Sequence, residues 1–372
     1  MNRFPFGRRF WASAFALLAL ALVADQWRVR GRAELVAEAA GASDEHLLLP
    51  AVEVPRRLLV LAPHPDDVLL AAGLIQRTLA AGGEARVVDL TCGDGKSPFA
   101  IRFLKRKQFR EDPNDAINYG LYRQKEDQKS VADLGLNPSK HLTFLGYPDG
   151  GLWEILQRSK KENQEAYRSG NTGAEAVPYA NALRTGAPYT GNSILTDLAS
   201  VLSEFQPDLV VLPHPNDHHR DHAATWYFGT EALALLPELI GKTRVLVPFD
   251  FHSGDLPHSL KRKFRMQPTR ETPSPTTWQE LELTPAEYEA KLLATSRYTS
   301  QMAWEHPFLP EYQGHISYMY GYVARNELFG EVQSVIHDEG FRRSIEMKAL
   351  PARVGAVIGN VFTDLGRHLF GK

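Results

Sequence analysis

Residues 58–67 read Leu58-Leu59-Val60-Leu61-Ala62-Pro63-His64-Pro65-Asp66-Asp67, an apolar run that stops at one imidazole and two adjacent carboxylates. A continuous apolar run bounded by proline reads as a strand covered on both faces, and in open α/β sheets ligands collect where such strands end. His64, Asp66 and Asp67 are therefore candidate site residues. A second run, Leu209-Val210-Val211-Leu212-Pro213, empties in the same way into His214-Pro215-Asn216-Asp217-His218-His219-Arg220-Asp221-His222. Two strand ends thus offer imidazoles and carboxylates.

Outward from these two runs, strand-like and helix-like segments alternate, the pattern of a parallel sheet with helical crossovers. Strands are predicted over Leu58 to Ala62, Ala85 to Thr91, His141 to Leu145, Leu209 to Pro213 and Arg244 to Phe249. Helices are predicted over Val68 to Ala81, Ala116 to Leu134, Ile194 to Phe205 and Ala223 to Leu236. The expected fold class is α/β, in layers. Two stretches interrupt the alternation: Asp94 to Pro113, where lysines and arginines mix with Phe99, Phe103 and Phe109, and Glu154 to Tyr189, rich in Asn, Gly, Ala, Tyr and charge. Both are expected to be loops over the mouth of the site. Gln267 to Thr277, dense in Pro and Thr, reads as a connector, and Thr284-Pro285-Ala286-Glu287 as a capping box with proline at the first helical position.

The chain of 372 residues is long enough for one large domain with insertions. A formal net charge of −2 provides no broad basic field, so no nucleic-acid partner is expected. Cys92 is the only cysteine, which excludes an internal disulfide and a cysteine-rich zinc cluster; it reads as a buried structural thiol. Arg3, Arg8 and Arg9 precede the apolar stretch Phe10 to Ala24, so residues 1–33 read as a signal peptide or signal anchor. The expected location is the inner membrane or, after export, the periplasm, with an anchor facing the cytoplasm as the alternative. The catalytic domain is expected over residues 50–335, with insertions near 94–113 and 154–190. Beyond it, residues 340–372 carry a helical apolar stripe that fits either an anionic membrane surface or a protein partner.

A hydrolytic zinc takes three protein ligands drawn from His and carboxylates and keeps one position for water. His64 and Asp67, three apart on the turn out of the first strand, can face one point, with Asp66 beside it. His222 completes the set best, because it opens a helix after the second strand end, and His219 sits three residues earlier on the same side. A lone Asp pair ahead of a helix is ordinarily a cap. The metal reading gains because both strand ends end in Pro-His-Pro with carboxylates following. One divalent ion is expected, zinc first, although two imidazoles and a carboxylate also suit iron and other divalent metals. His214 and His218 are expected to support the site or lie at the surface. A dinucleotide-binding oxidoreductase would need a Gly-x-Gly-x-x-Gly turn where Pro63-His64-Pro65-Asp66-Asp67 stands, and carboxylate-only glycosidase chemistry would leave the histidines idle.

Pro63-His64-Pro65-Asp66-Asp67 resembles the metal-binding signature of the PIG-L or LmbE-like de-N-acetylases, and Pro207-Asp208-Leu209-Val210-Val211 through Asp217-His218-His219-Arg220-Asp221-His222 resembles their second signature. Leu145-Gly146-Tyr147-Pro148-Asp149-Gly150-Gly151-Leu152 is similar to the family's Pro-Asp-Gly-Gly segment, and Arg123-Gln124-Lys125-Glu126 to its Arg-x-x-Glu helix. One departure is Arg220, where the second signature commonly has proline. The resemblance spans roughly Arg56 to Leu236, with a weaker echo through Tyr298-Thr299-Ser300-Gln301 to Glu327-Leu328-Phe329. It implies a Rossmann-like three-layer sandwich with a mostly parallel sheet, and removal of an acetyl group from an N-acetylglucosamine-type sugar in a glycan or glycolipid. It also implies zinc on His64, Asp67 and His222, and Asp66 as general base. His219 would steady the tetrahedral intermediate or protonate the leaving amine, and Arg123 and Asp149 would face the sugar hydroxyls. The alternative function is a non-catalytic glycan-binding or envelope-assembly module on the same fold.

Overall fold

The computed structural model describes residues 49–95, 113–160, 165–217, 219–249, 265–266, 276–302 and 323–332. The elements among them are β1 (Arg57–Ala62), a 3-10 helix (Pro65–Ala71), α1 (Ala72–Ala80), β2 (Glu84–Thr91), α2 (Pro113–Asp133), α3 (Pro138–His141), β3 (Leu142–Tyr147) and α4 (Leu152–Arg158). They continue with α5 (Gly191–Phe205), β4 (Leu209–Val211), α6 (Arg220–Ala234), β5 (Arg244–Pro248), β6 (Thr276–Glu282), α7 (Pro285–Thr295), α8 (Thr299–Met302) and β7 (Asn326–Val332). The segments 1–33 and 340–372, most of the basic insertion, and His218 lie outside the described residues. No helix among the described residues is long and apolar enough to cross a membrane.

The seven strands form one sheet in the order β3-β2-β1-β4-β5-β7-β6. From β3 to β5 the pairs are parallel, while β7 runs antiparallel to both β5 and β6. The crossover direction reverses at β1, between β2 and β4, and it is there that the two polar strand ends lie side by side. The alternating side chains of β1 explain the layering. Leu58 and Val60 pack on one face with Leu74 and Ile75 of α1, Val131 of α2 and Ala294 of α7. Leu59 and Leu61 pack on the other with Ile155 of α4, Leu198 of α5 and Phe228 of α6. A sheet with helices on both faces buries both sides of each strand, which is why β1 reads as an unbroken apolar run.

Two expectations are refined. The helix expected from Val68 begins instead as a 3-10 turn at Pro65, because the Asp67 carboxylate accepts the His64 N–H at 2.9 Å and the Asp67 N–H reaches the His64 carbonyl at 3.1 Å. This tighter turn sets His64 and Asp67 side by side. The stretch Glu154 to Tyr189 is also more than a loop: its start lies in α4, and Val177, Tyr179, Ala187 and Tyr189 are buried among apolar residues, so it is only in part a loop over the site. The antiparallel pair β6 and β7 had no sequence signal. Glu327 is fully buried there, paired with Lys291 at 2.7 Å and accepting the N–H groups of Gly73 and Leu74 at the start of α1. A buried carboxylate within a short strand reads as surface until its partners are known.

Candidate metal centre

The side chains expected to bind metal converge. His64 follows β1, Asp67 lies in the 3-10 turn, and His222 occupies the first turn of α6. One oxygen of Asp67, Oδ2, lies 3.1 Å from His64 Nδ1 and 3.2 Å from His222 Nε2. The remaining ring nitrogen of each imidazole meets a carboxylate. His64 Nε2 is 3.2 Å from Asp149 and 3.5 Å from Asp221, while His222 Nδ1 is 2.6 Å from Asp217. Carboxylates on the outer nitrogens fix the tautomers so that His64 Nδ1 and His222 Nε2 face the shared point, the usual support of a metal-binding histidine. All these side chains are buried or nearly so.

The charges follow the same geometry. Burial alone would lower the pKa of His64, but Asp149, Asp221 and Asp67 outweigh it and hold the imidazole well above its ordinary value. Burial likewise opposes the charged form of His222, and Asp67 and Asp217 reverse that, pushing it up to about 10. Asp67, raised by burial but held by both imidazoles, ends well below the usual carboxylate range. The cluster is thus rich in negative charge that cations must balance. Two imidazole nitrogens and one carboxylate oxygen at one buried point, with Asp149, Asp217 and Asp221 behind them, are a donor set that fits a divalent cation. Among the described residues, the ligand atoms that all lie within 4.8 Å of one another belong to His64, His219 and His222, and to His64, Asp149 and Asp221; Asp67 joins them through its contacts with His64 and His222.

His219, the N-cap of α6, faces the same space, with its ring centroid 4.7 Å from that of His64 and 5.0 Å from that of His222. Burial first, then the charges of His64 and His222, push its pKa down to about 4. It stands neutral at pH 7. Asp66 accepts a hydrogen bond from Arg123 Nη2. Arg123 is buried and turned toward Asp66, and its Nη1 also approaches the Gly93 carbonyl at 3.5 Å. Asp149 accepts the Gly95 N–H at 2.9 Å besides contacting His64. Both residues expected at the sugar are therefore engaged by protein groups as well. His214 has a structural place: its ring accepts the Asn216 N–H at 3.1 Å and its Nε2 lies 3.4 Å from Thr276 Oγ1. Cys92 is buried and accepts from the Gln124 amide, as a structural thiol should.

Three further carboxylates, to which the sequence assigns no role, support the cluster. Asp217 supports His222. Asp221 accepts the Gly150 N–H at 2.6 Å and the Leu152 N–H at 3.1 Å, which ties the Pro-Asp-Gly-Gly turn to the start of α6 and brings Asp149 to His64. Asp94 accepts the Asp149 N–H at 3.1 Å and the Tyr179 hydroxyl at 2.6 Å. Asp217 and Asp221 sit inside the second signature, so proximity to the imidazoles was the available signal; Asp94 had none.

Fold and site together define an α/β domain with a carboxylate-supported imidazole cluster at the sheet's switch point. Residues 59–233 match the model of a family described as PIG-L, GlcNAc-PI de-N-acetylase. The chain is 29% identical over 195 residues to a 1D-myo-inositol 2-acetamido-2-deoxy-alpha-D-glucopyranoside deacetylase of Mycolicibacterium smegmatis, a match covering 51% of this chain and 57% of that enzyme's length. Among solved structures it is similar to N,N'-diacetylchitobiose deacetylase from Pyrococcus horikoshii (20% identity, 80% of this chain and 89% of that one, TM-score 0.42). It is also similar to a deacetylase of the teicoplanin biosynthesis pathway (22% identity, 74% of this chain and 96% of that one, TM-score 0.43).

Proposed function

We propose that the protein is a metal-dependent hydrolase that removes the N-acetyl group from an N-acetylglucosamine-type sugar in a glycan or glycoconjugate. The observation that carries this reading is the meeting of His64 Nδ1, His222 Nε2 and Asp67 Oδ2 at one buried point with Asp66 next in sequence. The PIG-L match and the relative that acts on a 2-acetamido sugar support it. A divalent ion on His64, Asp67 and His222, zinc by preference, would supply Lewis acidity toward the amide carbonyl and the attacking water. Asp66 takes the proton from that water, and Arg123 keeps its carboxylate aimed. His219, as a neutral imidazole, donates a ring N–H where negative charge develops on the carbonyl oxygen. Asp149 and Arg123 border the same space and retain acceptor and donor capacity for sugar hydroxyls.

A non-catalytic glycan-binding or envelope-assembly role is disfavoured by the presence of a positioned Asp66. Acetate release by the purified protein against a panel of N-acetylhexosamine glycans and glycolipids tests the proposal. Asp66→Asn is expected to keep its metal and lose about a hundredfold or more of that activity, the scale of a general base. Near-normal turnover in this variant would assign the base to another residue. We also propose that the domain is exported or held at the outer face of the inner membrane by residues 1–33, on the strength of the arginines ahead of Phe10. A phosphatase fused after residue 50 would be active in a bacterial host if so, and inactive though well expressed if the domain faces the cytoplasm.

A further inference from the structure

Behind the base lies a second group of buried polar side chains that the proposed reaction does not use. Asp89 at the end of β2, Asp127 on α2 and Tyr298 between α7 and α8 are each fully buried. The Tyr298 hydroxyl lies 2.7 Å from the Pro65 carbonyl oxygen and also meets Asp127 Oδ1. Asp89 lies beside Asp127. The Tyr298 hydroxyl thus stands between an acceptor on the helix, Asp127 Oδ1, and one on the turn, the Pro65 carbonyl, and links the two. Burial first, then the neighbouring Asp66 charge, push Asp127 up to about 7, and burial with the Asp127 charge holds Asp89 well above the carboxylate range.

We infer that Tyr298 and Asp127 are positioning residues that hold the Pro65-Asp66 peptide from behind while Arg123 holds the Asp66 side chain. This rests on the proposed role of Asp66. Arg123 and Asp127 are four apart on α2 and share one of its faces, so one helix grips the base dipeptide at two points, directly through Arg123 and through Tyr298 at the backbone. Glu126, on the same face, secures the segment that carries Tyr298 by accepting the Ser300 N–H at 2.7 Å and the Thr299 hydroxyl at 2.6 Å.

The test uses the full chain and the variants Tyr298→Phe, Asp127→Leu and Asp127→Asn. An asparagine amide keeps an oxygen that can accept from the Tyr298 hydroxyl, whereas leucine offers none. Two readouts are taken: amide hydrogen exchange of the peptide spanning residues 63–71, with and without added zinc, and steady-state acetate release. Tyr298→Phe and Asp127→Leu are expected to speed exchange of that peptide at least fivefold while a peptide from α5 stays unchanged, and to lower kcat at least tenfold with KM within twofold. Asp127→Asn is expected to restore both readouts toward wild type. Unchanged exchange in Tyr298→Phe overturns the inference whether or not the protein is a deacetylase, and so does an Asp127→Asn variant as impaired as Asp127→Leu. Faster exchange in the first two variants with rescue by asparagine, in a wild type that releases no acetate from any substrate, upholds the hold on the turn and rejects the deacetylase reading instead.

Discussion

At the residue scale, the centre is a set of imidazoles whose two nitrogens do different work. His64 and His222 each present one nitrogen to Asp67 and give the other to a carboxylate. In the proposed centre the loss of either ring would remove a ligand outright, so His64→Ala and His222→Ala are expected to reduce bound metal sharply in elemental analysis. Asp217 meets His222 at its far nitrogen and also accepts the His219 N–H at 2.7 Å, so Asp217→Asn is expected to weaken metal binding by about 10- to 100-fold without abolishing it. A competition titration with a chelator measures this, and unchanged affinity would remove Asp217 from the support of the site. His64, Asp66, Asp67 and His222 were legible because residue type and strand-end position are written in the chain. The engagement of Arg123 with Asp66 was not, since it depends on how α2 lies against the 3-10 turn.

At the element scale, turns and caps set the precision of the centre. Gly93 follows β2 with φ +63°, and a Cβ there would lie 2.0 Å from Arg123 Nη1. Gly93→Ala therefore combines a left-handed backbone, costing about 1–2 kcal/mol for a non-glycine residue, with displacement of the guanidinium that aims Asp66. It is expected to lower acetate release at least tenfold while metal content holds, which kinetics and elemental analysis together check. The capping box of α7 offers a contrast remote from the chemistry. Thr284 accepts the Glu287 N–H at 3.3 Å and Glu287 accepts the Thr284 N–H at 2.8 Å, as the sequence led us to expect. Thr284→Ala is expected to cost about 1 kcal/mol in urea unfolding, with activity unchanged.

At the scale of the whole molecule, burying so many ionisable groups makes stability depend on pH in opposing ways. Burial first, then the Asp149 charge, raise Asp94 to about 7. An acid whose pKa is raised by folding contributes stability that is fully present below its unfolded value of about 3.9 and is lost as pH rises through the folded one. His214 and His219, pushed down to about 4, act in the opposite sense, since their contribution is present above an unfolded value of about 6.5 and is lost as pH falls through 4. The two effects overlap in the wild type. Asp94→Asn removes one of them, so its stability relative to wild type is expected to rise between pH 4 and 7 and to level off above. Urea unfolding at several pH values reads this directly, and a difference independent of pH would show that Asp94 carries an ordinary carboxylate.

The sequence by itself determined the parallel core of the sheet, the two strand ends that bear the site, and the residue types that meet there. Those features follow from local periodicity and from proline and aspartate at fixed offsets, which one segment can encode alone. Tertiary structure decided which imidazole nitrogen faces inward, because that choice belongs to Asp149, Asp217 and Asp221 arriving from other elements. It also decided the antiparallel edge of β6 and β7. A strand that carries a buried Glu327 is stable only once Lys291 and the amino terminus of α1 supply the opposite charge and the hydrogen-bond donors, and these partners lie 36 to 254 residues away along the chain.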